Sequence, residues 1–234
     1  MKTEPKKPVY LVLNCSEAVL QVVLGTSRDV LWSLNIQTPG RAMRHIAPAI
    51  QAGLNSLELR PRDLSGISCV EGPGSFTGIR MIFAHASGLS RAAGIPMSAV
   101  SSFDALILGP GRLLQGTAWI FIHSRLGRVY AGSYCLPDLK PLYFSADMAV
   151  QDIPELISSD QDREIYVLGS GVRKNPDFFK AQSWTVLPAC WDIPLAHSLL
   201  ELGVNAAYTH DNLCPTYLRL SNAEENLRKN QKTS

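Results

Sequence analysis

The sequence predicts an α/β protein of two lobes, each a mixed sheet flanked by helices, and three observations carry that prediction. Residues 67–102 read as strand, glycine turn, long helix and strand. Three short runs of β-branched and apolar residues precede them with the spacing of an antiparallel meander. A similar but weaker order of elements begins again after Gly109-Pro110-Gly111, the best candidate for a domain boundary. With 234 residues, 46% of them hydrophobic, the chain has enough apolar material for one large core or two ordinary ones.

Residues 1–8 form a polar, proline-containing lead expected to be disordered. Strands are expected over 9–13, 18–24 and 30–34, separated by turn residues at 14–17 and 25–29. Pro39-Gly40 closes the meander, and 41–57 has helical spacing through Ile46, Ala49, Ile50, Gly53, Leu54 and Leu57. Residues 60–63 break that helix. Ile67, Cys69 and Val70 then form a strand that runs into Glu71-Gly72-Pro73-Gly74, where the chain must turn. Ser75 is placed to cap the next helix, whose core face is Ile79, Ile82, Phe83, Ala86, Leu89 and Ala93. Gly94 supplies a left-handed end, Pro96 prevents resumption, and 97–100 is the next strand. Residues 102–108 give a short third helix. The order βββαβαβα matches one half of the ribonuclease-H-like, actin-like (ASKHA) architecture. That sets an N-terminal lobe over 9–109, a C-terminal lobe over 110–220 and a polar tail over 221–234. In the second lobe a hairpin is expected from 118–123 and 129–134, a third strand at 142–144, a short helix at 153–158, a strand at 165–168 and a helix at 194–208.

The helix after Ser75 has a second unusual side, because Gly78, Ala84, Ser87, Gly88 and Ala92 are all small. Ordering such a helix costs about 1–2 kcal/mol per residue, and six buried apolar side chains return about 1.5–3 kcal/mol each. One buried face does not cover that cost, so a helix packed on two sides is expected. The second side can meet the core of the same domain or another subunit.

Twenty-two Lys and Arg against 20 Asp and Glu give a net charge of +2, so no overall field draws the chain to nucleic acid. Five scattered cysteines without a CxxC pair are expected to be reduced, as in the cytoplasm. No stretch reaches 18 apolar residues and no signal-peptide pattern opens the chain, so no membrane partner is expected. The turn with Gly72, Gly74, Ser75, Thr77 and Gly78 has the shape of a phosphate cradle at a helix start. It lacks the Lys-Ser/Thr of a Walker A loop and the GxGxxG spacing of a dinucleotide site. Asn14 stands in the first hairpin turn, where actin-like ATPases usually carry a metal-holding acid. A neutral amide does not replace that charge. The five histidines form no metal-binding pattern, Ser75 lies outside a GxSxG elbow, and no paired carboxylates accompany the glycine-rich segments. No catalytic or metal-ligating residue is assigned.

GPGSFTGIR, the small-residue helix after it and IPMSAVSSFDAL resemble the signature of the TsaB (YeaZ) family. The resemblance extends to YLVLNCSEAVLQVVL, IFIHSRLGRVYAGSY and the PTYLR segment beginning at Pro215. Asn14, His123, Ser124 and Arg128 depart from the family pattern. Older labels group this family with M22 glycoproteases, but the chain has no HxxxH pair and a peptidase is rejected. The resemblance implies a non-catalytic subunit of the bacterial machinery that makes N6-threonylcarbamoyladenosine at position 37 of tRNA. It implies a TsaD-like paralogue as partner, which would hold ATP and a metal, a TsaE-like ATPase, a TsaC-like enzyme upstream, contact with tRNA through the complex, and a homodimer as a further state. By the same transfer the partner interface would use Arg41, His45, Ala49, Gly78, Arg80, Met81, Ala84, His85 and Gly88. The alternatives are a stand-alone actin-like ATPase or phosphotransferase and a homodimeric binding module.

Overall fold

The computed structural model describes residues 7–37, 42–158, 163–211 and 213–215, the side chains of 145 and 146 excepted. The first six residues, Pro39-Gly40, Arg41 and the expected tail lie outside the described residues.

The first sheet has the strand order β3-β2-β1-β4-β5. Its strands are β1 (Tyr10–Asn14), β2 (Val19–Gly25), β3 (Val30–Gln37), β4 (Gly66–Gly72) and β5 (Met97–Ser101). The first three form the expected antiparallel meander, with Leu13 opposite Val22 and Val22 opposite Leu34. β4 and β5 add in parallel, which demands crossovers. Those are α1 (Met43–Ser56) and α2 (Phe76–Ala93), followed by α3 (Ser102–Ile107). Pro48 lies inside α1 on its exposed side, a proline that the helical spacing alone passes over. Ser75 and Gly94 cap α2 as the sequence requires. The Ser75 hydroxyl accepts the Gly78 amide, and Gly94 has φ +69°.

The second sheet has β6 (Gly116–Arg125), β7 (Arg128–Leu136), β8 (Lys140–Ala149), α4 (Ile153–Ile157), β9 (Ile165–Leu168), α5 (Ser170–Lys174), α6 (Pro176–Lys180), β10 (Thr185–Val186) and finally α7 (Ala196–Asn205). Its strand order β8-β7-β6-β9-β10 repeats that of the first sheet. The repeat joins the same antiparallel meander to parallel additions, and it is the actin-like pattern.

Alternation along the strands decides which helix packs where. Leu11, Leu13, Leu20, Val22 and Leu24 face α1 and α2, where Ile46, Leu54, Ile82 and Phe83 complete a core. Val12, Val23, Val70 and Val100 point the other way, onto Ala105 of α3 and Leu199 and Leu200 of α7. Phe103, Leu106 and Ile107 of α3 in turn cover Ala118, Ile120 and Ile122 of the second sheet. The second sheet's far face packs Trp119, Phe121 and Val167 on Ile153, Val172 and Phe179. α3 and α7 therefore lie between the sheets. A division at 109/110 assigns α7 to the second lobe by position in the chain, but its apolar stripe covers the first sheet, where the six-residue α3 leaves most of that face to it.

Candidate functional site

α1 and α2 lie side by side on the first sheet, and between their outer sides runs a groove of about 530 Å³. Ala47 and Gln51 of α1 and Ala84, His85, Gly88 and Ala92 of α2 are among the residues that line it. α2 shows why small residues stand there. A methyl group at Gly88 would meet no atom within 4 Å, so this glycine faces open space and not a neighbour in its own chain. The His85 ring Nδ1 lies 2.8 Å from the Met81 carbonyl, which accepts its hydrogen and fixes the ring along the groove wall.

The structure sorts the sequence-predicted interface residues. Ala84, Gly88 and the half-buried His85 line the groove, and His45 is exposed on α1. Arg80 is exposed with its guanidinium 3.8 Å from the Phe76 ring centre, and Met81 is half-buried against the core. Ala49 is 4% exposed and belongs to the core face of α1. Gly78 is buried at the other end of α2. These two do not reach the groove, because α1 and α2 each turn one side to the sheet. Ala92 lies on the small-residue side that the sequence marks, whereas Ala47 and Gln51, four residues apart on α1, were not singled out although the helical period puts them on one side.

The glycine turn is fitted to its own chain. A methyl at Gly74 would lie 2.0 Å from the Ser16 carbonyl oxygen, and one at Gly78 would lie 2.0 Å from that of Cys15. The Ser75 amide donates to the same Ser16 oxygen at 2.5 Å, and the Gly78 amide donates to Ser75 Oγ at 3.2 Å. Gly72 and Gly74 have φ +111° and +155°. Thr77 is exposed on the first turn of α2. The residues of the expected cradle thus seat the β1–β2 turn, with the Ser75 amide committed to Ser16 and the Gly78 amide to the Ser75 cap.

A nucleotide and metal, which the actin-like fold implies, do not fit these residues. Asn14, 3% exposed, accepts the Ser16 amide at 2.9 Å and hydroxyl at 2.8 Å through Oδ1, and donates through Nδ2 to Gln21 Oε1 at 2.8 Å. Gln21, fully buried, donates in turn to Asn35 Oδ1 at 3.1 Å and to the Pro194 carbonyl at 2.8 Å. Every polar atom of Asn14 is engaged. Asn14→Asp is therefore expected to destabilise the fold by about 2 kcal/mol, because a buried charge would oppose Gln21 Oε1. Thermal denaturation with and without magnesium checks this, and a magnesium-dependent recovery would contradict it. Among the described residues no group of three or more His, Cys, Asp or Glu side chains could hold a metal ion. No described helix is long and apolar enough to cross a membrane.

The remaining departures have structural roles. Arg128 Nε reaches Asp147 Oδ2 at 2.7 Å beside the β6–β7 turn. The His123 amide donates to Ser170 Oγ at 2.9 Å. Its ring is held below its ordinary pKa by burial and by the Lys174 charge, and so stays neutral near pH 7. Cys15 and Cys69 are buried, and burial pushes both thiols up, Cys15 to about 11. That makes them poor nucleophiles.

Two lobes with matching sheets and an open groove between two long helices place the chain in the actin-like class. A family model described as TsaD, tRNA N6-adenosine threonylcarbamoyltransferase, matches residues 41–134. The tRNA threonylcarbamoyladenosine biosynthesis protein TsaB of Bacillus subtilis (strain 168) is 32% identical over 192 residues, 79% of this chain and 82% of its own. The protein of the same name from Escherichia coli (strain K12) is 28% identical over 77% of this chain and 82% of its own. A crystal structure of an uncharacterized Pseudomonas aeruginosa protein with similarity to peptidase YEAZ superposes with a TM-score of 0.74 at 22% identity, over 91% of this chain and all of that one. The chain belongs to the TsaB family.

Proposed function

We propose that this chain is a non-catalytic scaffold and activating subunit in the formation of N6-threonylcarbamoyladenosine at position 37 of tRNA. The relatives named for that biosynthesis support the reading. The observation that carries it is the open groove between α1 and α2, with Gly88 facing empty space at its centre. A TsaD-like paralogue docks there and supplies ATP, the metal and the catalytic centre. A TsaE-like ATPase joins the pair, a TsaC-like enzyme supplies the activated threonylcarbamoyl group, and tRNA is reached through the complex in the cytoplasm.

The test is a reconstitution of tRNA, ATP, threonine, bicarbonate and the partner proteins with and without this chain, the modified nucleoside being quantified by mass spectrometry. Product that depends on the chain supports the reading, and equal product in both reactions overturns it. Gly88→Arg places a charged side chain in the groove without disturbing the monomer, since nothing of the chain lies within 4 Å of that position. It is expected to weaken binding to the paralogue at least a hundredfold by calorimetry and to leave the melting temperature within a few degrees. Wild-type affinity in that variant would move the interface elsewhere.

A further inference from the structure

The described residues end against the first lobe, beside the open groove. After α7 the chain returns to the edge of the first sheet, where the Thr209 amide donates to the Met97 carbonyl and the Met97 amide to that of Thr209, both at 2.8 Å. This bridge is antiparallel to β5, so the residues that follow run back past the start of β5, toward Ile95 and Ala93 at the end of α2. Leu213 accordingly packs into the same core as Leu89, Ala93 and Ile95, and Pro215 is half-buried. The chain has thereby crossed from the α7 side of the sheet to the side of α1 and α2. The groove reaches that end of α2, where Leu89, Ala92 and Pro61 line it. We propose that residues 217–220 of this chain seat in the groove of their own molecule, as a built-in cover that a partner must displace.

Reach and apolar match select this occupant. The lined stretch of α2 from Ala84 to Ala92 rises about 12 Å, and an extended segment over 216–220 covers about 16 Å. Thr216-Tyr-Leu-Arg-Leu220 carries three large apolar side chains, Tyr217, Leu218 and Leu220. Apart from Gln51 and His85 the groove lining is apolar, which suits those three. SNAEENLRKNQKTS, after Leu220, has Leu227 as its one large apolar residue and does not match the groove. Tethering supplies the rest. An effective concentration on the order of 1 mM keeps even a contact with a dissociation constant of about 0.1 mM formed about nine-tenths of the time. The consequence for assembly rests on the docking proposed above: a paralogue that uses the groove binds about tenfold more weakly while the cover is in place. The cover itself stands without that docking.

Maleimide labelling of the full chain carrying Gly88→Cys tests the cover, read at each cysteine by peptide mass spectrometry. Without a cover the introduced thiol stands in open space, as exposed as that of Cys190. It is expected to react about tenfold more slowly than Cys190 at every protein concentration, and at about the same rate in Tyr217→Asp/Leu218→Asp. Successive side chains of an extended segment point opposite ways, so one of that pair faces the groove. Cys15 and Cys69 are buried and stay unlabelled while the fold is intact. If the paired substitution exposes them, removal of residues 216–234, which keeps every described residue, replaces it. Equal rates at the introduced thiol and Cys190 in the unsubstituted segment overturn the proposal, and so does slow labelling that neither change relieves. Protection that grows with protein concentration assigns the groove to a second copy and overturns it as well. Calorimetry then separates cover from docking. Released labelling with about a tenfold gain in affinity for the paralogue supports both, whereas released labelling with unchanged affinity supports the cover and moves the paralogue elsewhere.

Discussion

Leu199→Ala is expected to destabilise the protein by about 3 kcal/mol, the range for removing a fully buried leucine that its surroundings cannot refill. Leu199 is 0% exposed and stands with Leu200 against Val12, Val23 and Val70 on the inner face of the first sheet. The layer formed by α3 and α7 is shared, so the loss is expected to appear as one transition and not as melting of one lobe. Urea unfolding followed by tryptophan fluorescence reads both halves, since Trp32 lies on β3 and Trp119 on β6. A loss below about 1 kcal/mol, or two separate transitions, would refute the shared layer.

Two alanine substitutions in one helix are expected to have opposite signs. Glycine inside a helix costs about 1 kcal/mol relative to alanine, so Gly88→Ala, with nothing within 4 Å, is expected to stabilise by about that amount. Gly78→Ala gains the same propensity and loses more. Its methyl would lie 2.0 Å from the Cys15 carbonyl oxygen, and that oxygen belongs to backbone that cannot swing aside. A net destabilisation of about 3 kcal/mol is expected, since α2 must shift off the β1–β2 turn. Denaturant titration of both variants measures the contrast. A neutral Gly78→Ala would mean that the turn is seated less tightly than its geometry requires.

How much was legible in the sequence follows from what each signal measures. The meander, both crossover helices and the caps Ser75 and Gly94 were readable because periodicity and turn chemistry are local. α5, α6 and β10 were not, since five, five and two residues are too few to show a period. The placement of α7 was also hidden, because its stripe of Leu199 and its neighbours says that the helix is buried and not which sheet buries it. The glycine turn was the instructive case. Gly74 and Gly78 signal close approach of something, and sequence alone could not distinguish a phosphate from the carbonyls of Ser16 and Cys15. Asn14 gave the opposite lesson. Its identity argued against a metal before any contact was seen, and the structure adds that all its polar atoms are engaged.

The repeated strand order hides an imbalance with a consequence for symmetry. The first sheet is crossed by helices of 14 and 18 residues, whereas the corresponding helices of the second are cut to five residues each. Among the described residues, α1 and α2 therefore form one long helical face. Two copies meeting through it use the same patch on both sides, related by a twofold axis, and the association closes at two with no free end from which a filament could grow. Under the docking proposed above, self-pairing and pairing with a paralogue would compete for this one face.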